Sequence, residues 1–67
     1  MIRVGDRVTV TDRGDAHHGE NGTVMLGEHP GLLTGRTIVE VLVDGQPELF
    51  DIGYYVEQLD VLSAVAT

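Results

Sequence analysis

Thr37-Ile38-Val39-Glu40-Val41-Leu42-Val43-Asp44-Gly45 reads as a β-strand and the turn that ends it. Successive side chains of an extended strand point to opposite faces. Val39, Val41 and Val43 therefore share one face, and Ile38, Glu40 and Leu42 share the other. Asp44-Gly45 is a dipeptide that suits tight hairpin turns, because both positions tolerate positive φ. Apolar alternation closed by a hairpin turn predicts a strand over Thr37 to Val43 with a partner returning beside it. The second face, with Ile38 and Leu42, is more apolar than a solvent-washed face needs to be.

Before this strand, Arg7 to Thr11 has the same alternation, with Val8 and Val10 inward and Val4 adding a further inward residue ahead of Gly5-Asp6. A long polar loop, Asp12 to Gly22, is expected next, with Asn21-Gly22 as its closing turn. The second strand is expected over Thr23 to Leu26, with Val24 and Leu26 on one face. A second loop, Gly27 to Arg36, contains His29-Pro30-Gly31 and the adjacent pair Leu32-Leu33. After Gly45, Pro47 cannot donate a ladder hydrogen bond and should precede a strand. That strand is placed at Glu48 to Ile52, with Phe50 and Ile52 inward. Gly53 to Gln58 suits a single 3-10 turn, and Leu59 to Leu62 a last short strand. Residues 63–67 read as a frayed tail. The expectation is one all-β domain over residues 1–62: a small barrel of about five short antiparallel strands with one 3-10 turn before the last.

The chain has 67 residues and no cysteine, so no disulfide staples it and no thiolate serves as nucleophile or ligand. A domain of this size has a stability of only about 3–5 kcal/mol. No apolar run reaches the roughly 18 residues of a membrane span. Met1-Ile2-Arg3-Val4-Gly5-Asp6 lacks the basic stretch and long apolar core of a signal peptide, so a cytoplasmic location is expected. Four arginines (Arg3, Arg7, Arg13, Arg36), no lysine and eleven carboxylates give a net charge of −7. Such a surface repels phosphate backbones, whose binding rests on Lys and Arg, and attracts basic partners.

Gly5-Asp6-Arg7-Val8-Thr9-Val10, followed by Gly19-Glu20-Asn21-Gly22-Thr23-Val24, resembles the KOW motif of ribosomal proteins and transcription elongation factors. Tyr55-Val56-Glu57-Gln58-Leu59-Asp60-Val61 looks like the close of an SH3-like domain. The resemblance implies an SH3-like barrel in which Gly5, Gly19, Gly22 and Gly45 shape turns. It expects Gly22 to enter the second strand through a conformation closed to residues with a β-carbon. It also implies a contact with RNA or with the transcription or translation machinery. The first loop, however, carries Asp12, Asp15 and Glu20 against a single Arg13, the reverse of a phosphate-binding loop. In general form the chain is also similar to acidic SH3-like antirepressors of bacteria, which present carboxylates to a repressor's DNA-reading helix. That similarity covers Gly35-Arg36-Thr37-Ile38-Val39 and a later acidic strand.

Catalytic constellations are sparse. Ser63 is the only serine, and neither a Gly-x-Ser-x-Gly elbow nor a phosphate-cradling glycine loop is present. His17-His18, with Asp15 and Glu20 nearby, has the residue types of a metal site, but neighbours in an extended chain point apart. No enzyme activity and no cofactor are expected. Tyr54-Tyr55 suits an interface, since tyrosine joins apolar bulk to a polar tip, with one ring inward and one outward. Leu32 and Leu33, flanked by glycines, either cover a barrel end or dock on another chain. The expected function is protein binding or regulation, through an acidic rim of Asp15, Glu20, Asp44, Glu48 and Asp51 and an apolar patch of Leu32, Leu33, Ile38 and Leu42, with Tyr54 and Tyr55 as further partner-binding residues. A basic protein is the expected partner, as a decoyed DNA-binding protein or a complex in which this chain is an accessory subunit. A second copy of the chain is also considered.

Overall fold

In a computed structural model, which describes residues 1–47 and 49–65, the chain forms β1 (Arg7–Val10), β2 (Asn21–Pro30), β3 (Thr37–Val43), β4 (Ile52–Tyr55) and β5 (Leu59–Ser63). One 3-10 turn, Val56–Gln58, stands between β4 and β5. The strands make a single sheet of order β4-β3-β2-β1-β5, and every pairing is antiparallel. The last strand thus returns beside the first. Among the described residues there is no α-helix, and no helix is long and apolar enough to cross a membrane.

β3 has the bounds its alternation predicts, and it anchors the sheet. Val41 pairs with Val24 of β2 on one side and with Ile52 of β4 on the other. Val39, Val41 and Val43 are fully buried and meet Val8, Val10 and Val24 from β1 and β2. Tyr54 and Leu59 complete this core together with Ile2, while Ile52 and Val56 pack at its margin. Valine suits the site because its branched side chain fits a pleated surface and loses little rotamer freedom there.

The segment before β1 differs from expectation. Val4 is exposed and Ile2 is the buried residue. Gly5 N donates to the Val24 carbonyl and Val24 N to that of Asp6, so this segment lies along β2. The Ile2 N–H also donates to Glu28 Oε2 at 2.6 Å. The buried Asp6 carboxylate accepts the N–H groups of Arg3 (2.9 Å) and Val65 (2.7 Å). The Val65 and Arg3 amides hold its pKa below the ordinary carboxylate value. The expected tail is accordingly shorter: Ser63 belongs to β5 and Val65 is tied to Asp6. Ala66 and Thr67 lie outside the described residues.

β2 runs from Asn21 to Pro30, far longer than the expected Thr23 to Leu26, and takes in His29-Pro30. Its pairing with β3 shifts register between Val24 and Leu26 and again between Leu26 and His29. Each such bulge inserts an unpaired residue and bends the strand. The first shift turns Leu26 outward although Val24 is buried. β4 lies at Ile52–Tyr55 rather than Glu48 to Ile52, and Phe50 is exposed rather than inward. Glu48, the expected start of that strand, lies outside the described residues.

Asn21-Gly22 forms no turn; it opens β2. Gly22 is required for space and not for its φ angle. A Cβ there would lie 2.6 Å from Val41 Cγ1 and 2.7 Å from the Leu42 carbonyl oxygen. Gly45 is the opposite case: its φ is +88° and nothing lies within 4 Å of an added Cβ. Gly22→Ala should therefore cost about 1–3 kcal/mol through overpacking of the β2–β3 contact. Gly45→Asn should cost about 1 kcal/mol or less, since asparagine tolerates the left-handed region. Denaturant unfolding of the two variants checks the difference.

Candidate functional site

The outward face of β3 and β4 builds the most developed surface feature. Antiparallel pairing sets Ile38 opposite Tyr55 and Glu40 opposite Gly53. All four belong to one open groove of about 700 Å³. His29 and Pro30, at the end of β2, and Gly31 to Thr34 of the following loop form the rest of its lining. The side chains of Leu32 and Leu33 are wholly exposed, at 103% and 99%. Two leucines bare to water at a groove mouth are an apolar surface without an intramolecular cover.

The polar end of the groove is a carboxylate pair. Asp51 stands beside Glu40, and that contact, with burial behind it, pushes the Glu40 carboxyl above its ordinary value. His29 Nε2 stands 3.7 Å from Glu40 Oε2, and its other ring nitrogen meets the Gly27 carbonyl oxygen at 2.8 Å. At the far side the Arg36 guanidinium stacks on Tyr55, 3.7 Å from the ring centroid, and is paired with Glu57. This cation–π contact packs Arg36 on one face of the Tyr55 ring.

Other expected site residues have structural employment. The Tyr54 ring is buried, and its hydroxyl donates to Asp15 Oδ1 at 3.0 Å. Burial, and then the Asp15 carboxylate, push the Tyr54 pKa well above that of free tyrosine. Tyr54 and Asp15 therefore clip the first loop to the core. Gln58 strengthens the clip: its side-chain amide donates to Asp12 Oδ2 at 2.6 Å, and its carbonyl accepts the Thr11 N–H at 2.8 Å. Asp44 binds Arg7 through two hydrogen bonds of 2.8 and 2.6 Å, and this contact lowers its pKa. Glu20 faces His17 at 3.2 Å. Among the described residues no group of three histidine, cysteine or acidic side chains could hold a metal ion, His17 and His18 included. Glu48 lies outside the described residues. Of the expected partner-binding residues, Leu32, Leu33 and Tyr55 line the groove, and Asp51 stands beside its Glu40.

His29, Glu40 and Gly53 were not anticipated as site residues. Alternation along Thr37–Val43 does put Glu40 on the same face as Ile38. The register that sets Gly53 across from Glu40 depends on the true position of β4. No family model matches the chain, and comparisons with curated proteins and with solved structures find no significant match.

The carboxylate pair has a signed consequence for stability. Glu40 has a folded pKa above its ordinary 4.5, so its deprotonation costs stability as the pH rises from 4.5 through the folded value. Asp51→Asn removes the like charge that raises it. The variant should melt at a higher temperature than the parent at pH 7, with the gap closing near pH 4. Thermal melts across this range check it.

Proposed function

We propose that this chain is a small acidic binding module of the SH3-like type whose partner is a basic protein, and that it acts by occupying that partner and not by catalysis. The observation that carries the reading is the open groove, which uncovered Leu32 and Leu33 line together with Glu40. Apolar surface supplies affinity, and the surrounding charge steers the encounter and selects the sign of the partner. The strand order, with the last strand beside the first and a 3-10 turn preceding it, supports the SH3-like assignment.

The alternative is the KOW-type role, in which the arginines hold RNA. Two of the four are committed elsewhere: Arg7 to Asp44, and Arg36 to Glu57 and the Tyr55 ring. With a net charge of −7 around them, they make a poor phosphate surface. The groove therefore favours the protein-binding reading. A decoy of a DNA-binding protein and an accessory subunit of a complex are both forms of it, and a cytoplasmic setting suits either.

Capture from nuclease-treated lysate, paired with fluorescence anisotropy on a labelled single-stranded RNA, separates the two roles. The expected result is retention of basic proteins that weakens with salt and survives nuclease, with no RNA binding at about 50 mM salt. RNA affinity at low salt that declines steeply as salt is added, or retention abolished by nuclease, would establish the KOW-type role instead.

A further inference from the structure

The groove has a shape and a charge that together narrow its occupant, an inference that rests on the protein-binding reading above. Its floor is bare at Gly53. A Cβ there would find nothing nearer than Ile38 Cδ1 at 3.8 Å, an ordinary contact, and the backbone is not in the left-handed region. Neither turn geometry nor crowding requires glycine at this position. Glycine inside a strand weakens it and often marks a close approach by a ligand or another chain. Here its absent side chain leaves Ile38 and Tyr55 open to an incoming group. Leu32 and Leu33 overhang the groove from a loop with Gly31 at one end and Gly35 at the other. The opposite end holds Glu40 against Asp51, two acids whose mutual repulsion a cation would relieve.

We propose that this groove docks a short segment of a partner protein carrying an apolar side chain next to a lysine or arginine. The apolar side chain lies over Gly53 between Ile38 and Tyr55, and Leu32 and Leu33 close onto it. The cation lies against Glu40 and Asp51. Charge complementarity selects this occupant over a second copy of the chain, which would bring a net charge of −7 against an equal one. It also selects against nucleic acid, whose phosphates meet the same carboxylates.

The test is an NMR titration of the isotope-labelled protein with three synthetic peptides. One has leucines interleaved with lysine and arginine in a Gly/Ser frame. The second has glutamine for the cations, and the third has serine for the leucines. The first peptide should shift the amides of Ile38, Gly53, Tyr55 and the Leu32–Leu33 loop, and each control should bind at least about tenfold more weakly, a 1.4 kcal/mol difference. Gly53→Val fills the floor while raising strand propensity, and it should lose the first peptide with its melting temperature maintained. Leu33→Ser gives the same test at a side chain that buries nothing. Asp51→Asn should weaken the first peptide and leave the glutamine control unchanged. Equal binding of the first peptide to the parent and to both groove variants would overturn the proposal, as would shifts confined to β1 and β5. If the parent and Gly53→Val retain the same basic proteins from lysate, the groove assignment fails while the protein-binding reading stands. If the peptide binds in the groove but no basic protein is retained, the broader reading is the one that fails.

Discussion

Valine packing between the strands sets the terms for everything else in this molecule. Val8, Val24, Val39, Val41 and Val43 have no measurable exposure, and Val10 and Tyr54 have almost none. At Gly22 the β2 backbone sits against Val41 and Leu42 with no room for a side chain between them. An interior filled in this way has no volume for a substrate, and protein interiors in general pack as densely as organic crystals. A ligand of any kind would therefore have to meet the outside of the sheet. The same pairing that buries Val39 and Val41 turns Ile38 and Glu40 outward, so the core and the groove are two faces of one strand.

Hydrogen bonding from loop side chains completes what a small core cannot do alone. Tyr54 to Asp15, Gln58 to Asp12, and Asp6 to Arg3 and Val65 fasten the first loop, the 3-10 turn and the segment after β5 to the sheet. No buried side-chain nitrogen or oxygen among the described residues lacks a partner. Much of the acidic charge is thus employed internally, whereas at the groove Glu40 stands against a second acid, Asp51, with His29 3.7 Å away.

The parts of this fold that were legible in the sequence are those with unbroken period-two alternation. β1 and β3 fall where their valines place them, and one tyrosine of Tyr54-Tyr55 is inward. β2 was half hidden, because two register shifts break the alternation that would have revealed its length. β4 was displaced because Leu49-Phe50-Asp51-Ile52 is locally more strand-like than Ile52-Gly53-Tyr54-Tyr55, yet Leu49 and Phe50 are exposed. The site followed the same rule. Leu32, Leu33 and Tyr55 stood out by residue type, whereas Glu40 and Gly53 acquire meaning only through cross-strand register. Asp15 and Tyr54 carried the right chemistry for an interface but are consumed by each other.

Placing a photo-crosslinking residue on each of two faces measures most directly where the molecule works. One variant substitutes p-benzoylphenylalanine for Leu33 at the groove, and the other for Leu62, an exposed residue of β5 on a different strand pair. In lysate, the account requires adducts to basic proteins from position 33 and few or none from position 62. Adducts from position 62 with none from position 33 would contradict it.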